Sequence, residues 1–198
     1  MRLNRGERWA VNNPLRVFQQ KWEIGWMEKN MTLPPQATVL EVGCGRGAGA
    51  GIIRERFRPA RLHAMDLDLR MVRRVRSYLP ARQRKGISLY VGDVFRLPHR
   101  DHTLDAVFGF GVLHHVPDWQ GALAEIARVL KTGGIYFLEE IFPSVYQNFI
   151  TKHFLLHPRG NRFRGPDLKG ALNQGDLRLK KFFEFPPFGI LAISVKKP

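Results

Sequence analysis

The sequence predicts an α/β fold: a doubly wound, mostly parallel seven-stranded sheet with helices on both faces and a C-terminal antiparallel hairpin. Three observations lead there. Short apolar runs alternate with helical patterns from Ala37 to Glu139, the rhythm of parallel strands joined by right-handed crossovers. The first of these runs, Val39-Leu40 with Val42, breaks into alternating glycines at Gly43, Gly45 and Gly47 before the next helix. After Pro143 the rhythm stops, and Leu177–Phe185 and Gly189–Val195 flank Pro186-Pro187 as a pair of adjacent strands.

Residues 1–36 are expected to form a helical segment that caps or lids the domain. Pro14 suits the first turn of a helix running to about Asn30, with Asn12 or Asn13 as its cap. Leu15, Phe18, Trp22, Ile24, Trp26 and Met27 give that helix a broad apolar stripe. Trp9, Asn12, Asn13 and Arg16 would then lie at the mouth of a ligand site. Pro34-Pro35 ends the segment, and the main domain is expected over residues 37–198.

Its first strand, Thr38–Val42, has the continuous apolar character of a strand buried on both faces, and a helix follows over about Gly47–Phe57. The second strand, Arg61–Met65, ends at Asp66 and leads into a helix over Asp68–Leu79. Past Pro80 and a basic loop, Ile87–Val91 forms the third strand and ends at Gly92-Asp93. Leu104–Phe110 is the fourth, Trp119–Leu130 a helix, and Lys131-Thr132-Gly133-Gly134 turns into the fifth strand, Ile135–Glu139. Residues 143–198 read as a substrate-side segment plus the terminal strand pair, with a short helix at Asp167–Leu172.

Composition bounds the class. With 198 residues, 44% hydrophobic and 25% charged, the chain carries the apolar content of a globular domain with a sizeable core. Cys44 is the single cysteine, so no internal disulfide forms and a reducing cytoplasm is expected. No apolar run approaches the ~18 residues of a membrane span. The basic N-terminus lacks the apolar core of a secretory signal. The outlier is the formal charge of +15, of which residues 143–198 contribute ten Lys/Arg against three Asp/Glu. It fits either a solvated Arg-rich surface or a face for an anionic membrane, nucleic acid or acidic substrate, with peripheral membrane contact among the expectations.

A strand, a glycine turn and a helix bring backbone N–H groups and a helix N-terminus up to a ligand. Alone, such a turn serves a phosphate, a dinucleotide or a nucleoside. The acids narrow the choice. Glu41 lies inside the first strand, Asp66 ends the second and Asp93 ends the third. Carboxylates at the carboxyl ends of successive strands suit a ligand with sugar hydroxyls, an adenine amine and positive charge, and are a poor match to pyrophosphate. No His/Cys cluster has metal-ligand spacing, so no metal is expected.

Val39-Leu40-Glu41-Val42-Gly43-Cys44-Gly45-Arg46-Gly47 resembles the first motif of class I S-adenosylmethionine-dependent methyltransferases. Ala64-Met65-Asp66-Leu67-Asp68 resembles their second-strand motif, and Gly92-Asp93-Val94-Phe95-Arg96-Leu97-Pro98 with Asp101 through Val107 their third. Leu113–Trp119 and Leu130–Gly134 complete a likeness spanning about residues 37–142, with Thr132 where that family usually has proline. The nearest subgroup is the ubiquinone/menaquinone-type and related small-molecule enzymes, on a Rossmann-like sheet. The resemblance implies S-adenosylmethionine as cofactor and S-adenosylhomocysteine as product. It implies that Gly43, Gly45 and Gly47 admit the methionine part and sugar, with Glu41 ordering the loop. Asp66 would take the ribose hydroxyls, with Leu67 against the adenine. Asp93 would accept from the adenine amine, the Val94 N–H would serve a ring nitrogen, and the Phe110 carbonyl the ammonium.

A sulfonium methyl is already activated, so alignment and water exclusion dominate, and a base is needed only for some acceptors. His115, with neighbouring His114, and Glu139 or Glu140 are the candidates, at the carboxyl edge of the sheet. Glu139 and Glu140 have a second reading, as partners of Arg159 and Arg162 in the loop 157–163. Residues 1–30, 112–120 and 140–165 are rich in aromatics and suit a small aromatic, quinone-like or lipidic acceptor. The alternatives are an RNA or protein acceptor, with nucleic acid disfavoured by the lack of an RNA-binding signature, and a non-catalytic cofactor-binding partner subunit. A nicotinamide oxidoreductase would leave Asp93 without a task.

Overall fold

The computed structural model describes residues 13–146 and 161–198. Trp9, Asn12, Arg159 and most of the aromatic stretch 143–156 therefore lie outside the described residues.

Helix α1, Pro14–Asn30, begins where expected: Pro14 occupies its first turn and the Asn13 side chain accepts from the Leu15 N–H at 2.9 Å. Strand β1, Thr38–Val42, then leads through the glycine turn into α2, Ala48–Arg56. Strand β2, Arg61–Asp66, is followed by α3, Leu69–Tyr78, which Asp68 caps by accepting from the Arg70 N–H. The basic loop contains a single helical turn, α4, Ala81–Arg84, before β3, Ile87–Val91. Strand β4, Leu104–Phe110, is followed by a 3₁₀ turn, Leu113–His115, and by α5, Trp119–Val129, capped by Asp118.

Strand β5, Leu130–Ile141, starts five residues earlier than the sequence suggests. Leu104 pairs with Leu130 and Ala106 with Ile135, so Lys131–Gly134 is looped out within the strand, and Gly133 takes the left-handed conformation there. One turn, α6, Pro143–Tyr146, precedes the segment outside the description. Helix α7, Gly165–Gln174, and strands β6, Leu177–Phe185, and β7, Gly189–Lys196, complete the chain.

Among the described residues the sheet has seven strands in the order β3-β2-β1-β4-β5-β7-β6. β3, β2, β1, β4 and β5 are parallel; β7 pairs antiparallel with both β5 and β6. The terminal pair is the hairpin expected, with β7 inserted and β6 at the edge.

Alternation along β1 divides the core in two. Leu40 and Val42 point to the face covered by α5 and α7, where Ile126, Leu168 and Leu172 are buried. Val39 points to the face covered by α1, α2 and α3, where Ile24, Met27 and Ile53 are buried. Helix α1 is thus part of that second core. Phe108 on β4 is fully buried there, its ring 4.5 Å from Phe137 and 5.2 Å from Phe57.

Phe108→Ala should therefore lower stability by about 3–5 kcal/mol in urea denaturation, since these rings cannot collapse into the space left.

Candidate functional site

The β1–α2 turn is built from backbone that only glycine adopts cheaply. Gly43, Gly45 and Gly47 have φ of +67°, +54° and +89°. A Cβ on Gly43 would stand 2.6 Å from Val112, and one on Gly47 would stand 2.7 Å from Val75 of α3. The two glycines have different tasks. Gly43 keeps the turn thin where it faces the β4 loop. Gly47 caps α2 in left-handed geometry and lets it pack on α3, outside the cleft.

The cleft opens at the carboxyl ends of the parallel strands, at the point where the order turns from β1 to β4. Gly43, Cys44, Gly45 and Arg46 form one wall, Asp66 and Leu67 the next, and Gly92–Phe95 a third. Phe110–Val112 and His115–Pro117 close it from β4, and Arg16 and Gln20 reach it from α1. Of the cofactor residues implied by the sequence, Gly43, Gly45, Asp66, Leu67, Asp93, Val94 and Phe110 meet in this one cleft. Glu41 and Gly47 do not line it.

Asp66 bridges two elements: its carboxylate accepts from the Gly45 N–H at 2.9 Å and from the Asp68 N–H at 2.8 Å. Burial still pushes its pKa above the usual carboxylate value. Asp93 is exposed at the rim and accepts from the Phe95 N–H at 3.0 Å, which folds the loop after β3 back on itself. Cys44 sits in the turn with its thiol pushed well up by burial and by the charges of Glu41 and Asp66, the wrong direction for a nucleophile.

Glu41 points away from the cleft, under the turn. Gly49 leaves room for its carboxyl, since a Cβ there would collide with Oε1. It accepts from the Ala50 N–H, while Oε2 is buried without a hydrogen-bond partner. Burial raises its pKa to about 8.

The candidate bases separate. His115 lines the cleft, its ring 4.2 Å from that of His114. Glu140 is fully buried and does not reach the cleft. Its carboxylate accepts from the N–H groups of Val112, Leu113 and His114 at 2.9, 2.7 and 3.3 Å, and pairs with His114 Nδ1 at 2.7 Å. That occupies its lone pairs and corrects the expectation of a base: the side chain holds the β4 loop. Glu139 is also turned to structure, bound to Arg16 at 2.7 Å.

Arg16 simultaneously holds Glu23 at 3.0 and 3.1 Å, and Gln19 donates to Glu23 at 2.7 Å. Two carboxylates thus share one guanidinium in a buried setting. Burial, then the neighbouring Glu139, lifts Glu23 to about 7, and burial also raises Glu139. This network ties α1 to the end of β5. The seven-residue spacing of Arg16 and Glu23 on a helix carried a signal for it, but Glu139 is distant in the chain. Among the described residues no group of three or more His, Cys, Asp or Glu is disposed to hold a metal ion.

The lining fits an adenosyl sulfonium: a wall of left-handed glycines, two carboxylates at adjacent strand ends, and an apolar wall from Phe110 and Val112. Comparison with known proteins agrees. Residues 40–138 match the family model described as a methyltransferase domain. Sterol 24-C-methyltransferase erg6 of Schizosaccharomyces pombe is 32% identical over 130 residues, covering 65% of this chain and 34% of that protein. A fatty-acid O-methyltransferase of Mycolicibacterium smegmatis is 39% identical over 103 residues, covering 50% of this chain and 35% of its own. This chain therefore spans about a third of the length of these curated relatives. In structure, a SAM-dependent methyltransferase from Aquifex aeolicus superposes with a TM-score of 0.76 at 16% identity, over 98% of this chain and 100% of that one.

Glu41 makes stability depend on pH. Its folded pKa lies above its unfolded value of 4.5, so the stability it contributes is complete below that value and is lost as pH rises through about 8. Across that window each pH unit costs up to about 1.4 kcal/mol. Glu41→Gln, which keeps the shape without the charge, should flatten this slope in urea midpoints measured from acid to mildly alkaline pH.

Proposed function

The chain belongs to the methyltransferase domain family, and on that premise we propose that it transfers the methyl group of S-adenosylmethionine to a small lipidic or aromatic acceptor. One observation carries this reading: Asp66, Asp93 and the Gly43–Gly45 turn converge on a single cleft at the carboxyl edge of the sheet. When bound, the cofactor supplies an already activated sulfonium methyl. The chain's own residues have to bind, orient and exclude water.

Asp66 suits the ribose hydroxyls, because its carboxylate is held rigid by two backbone N–H groups and retains lone pairs facing the cleft. Leu67 and Phe95 offer apolar surface to a purine, with Asp93 and the Val94 N–H as its polar partners. The Phe110 carbonyl suits the ammonium. Glu41, buried beneath the turn, positions α2 behind it.

Val112, Val116 and Pro117 continue the cleft as an apolar surface beside His115. That surface, with relatives named for sterol and fatty-acid methylation, supports a lipidic acceptor. His115 is the side chain best placed to receive a proton from the acceptor. Glu140 acts through the loop, fixing His114 and with it the backbone that carries His115. Glu139 acts through Arg16, setting how α1 meets the cleft.

Isothermal calorimetry with S-adenosylhomocysteine tests the cofactor reading, which fails if the compound does not bind while NAD does. Asp66→Ala should weaken binding about a hundredfold, the loss of two charge-assisted hydrogen bonds. His115→Ala should leave affinity within a few-fold and lower turnover on a fatty-acid or sterol acceptor by about a hundredfold or more. Unchanged turnover would remove His115 from the mechanism.

A further inference from the structure

The first half of α1 is inside out. Its polar side chains Arg16, Gln20 and Glu23 face the cleft and the sheet, while Leu15 and Phe18 are 75% and 74% exposed. Trp22, one turn further along the same outer face, is half exposed. Its ring lies 5.9 Å from Phe183 and 6.2 Å from Phe185 on the edge strand β6, and both phenyl rings are themselves exposed. Phe188, in the β6–β7 turn, is 61% exposed. Its carbonyl accepts from the Phe142 N–H just past the end of β5, so the turn stands at the edge of the sheet where the cleft opens.

Aromatic and aliphatic side chains contiguous over a helix face and a sheet edge mark an interaction site. We propose that this face docks the protein on an anionic lipid bilayer, with the cleft mouth at the membrane. The proposal rests in part on the reading of a lipidic acceptor, which must leave a bilayer to be methylated.

Charge favours a membrane. Every carboxylate of α1 and β6 is already paired: Glu23 with Arg16, Glu28 with Arg56 and Glu184 with Lys169. Lys21, Lys29 and Lys181 are exposed, and among the described residues none of them is ion-paired. Exposed Trp, Phe and Leu bordered by lysines match the interface between acyl chains and anionic headgroups. A second copy is less well served. Strand addition at β6 is opposed by its register shift between Leu179 and Lys181 and by exposed Lys180 and Lys181.

Sedimentation of the full chain with phosphatidylcholine vesicles, with and without phosphatidylglycerol, tests this. Retention is expected on the anionic vesicles and should fall as salt is raised. Phe18→Ser with Trp22→Ser should lower partitioning by at least about tenfold. Lys21→Glu with Lys29→Glu should lower it on anionic vesicles alone. Neither pair lines the cleft, so both should bind S-adenosylhomocysteine as the parent does, which also reports correct folding. No retention of the parent chain overturns the docking proposal. So does equal retention of both variants, or a dimer that the Phe18/Trp22 variant dissolves. Loss of docking with S-adenosylhomocysteine binding intact leaves the methyltransferase reading standing, and failure of that binding alone overturns the other.

Discussion

The loop that closes the cleft stands on one carboxylate. Glu140, fully buried on β5, gathers three consecutive N–H groups and an imidazole from the residues after β4. A polar group buried in this way is tolerable only when its lone pairs are filled, and the loop supplies the donors while gaining a fixed shape. Val112 is thereby held against Gly43, which explains why the turn tolerates no Cβ there. The first strand's turn and the fourth strand's loop are thus fitted to each other through a buried residue that does not line the cleft.

The same edge of the sheet concentrates acid in a basic protein. Glu41, Asp66 and Glu139 are all raised by burial, with Asp93 at the rim. Arg16 offsets part of that charge from α1, but it is shared between two carboxylates. The overall charge of +15 therefore describes the outer surface and says little about the cleft.

Much of this was legible in the sequence because the relevant signals are local. Strand bounds follow from apolar runs, the start of α1 from Asn13 and Pro14, and the meeting of Asp66 and Asp93 in one cleft from their places at strand ends. What was not legible depends on register across the sheet. Nothing in Lys131–Gly134 shows that Leu130 already pairs with Leu104 around a looped-out turn. Adjacent Glu139 and Glu140 look equivalent in the chain, yet strand alternation sends one to α1 and the other to the β4 loop. Gly47 resembles its neighbours in spacing, and only the packing of α2 on α3 shows that it serves the helix pair.

The strand order also dictates a sequence of assembly. β6 is made before β7 but lies outside it, so β6 has no strand to pair with until β7 has been made. As the chain emerges during synthesis, the five parallel strands can associate first, with β5 as a temporary open edge. The sheet then closes in one late event, when Gly189–Lys196 enters between the two strands that precede it. Until those eight residues arrive, the backbone of β5 around Phe137 and Leu138 is an unpaired sheet edge, the kind of surface on which other chains can add.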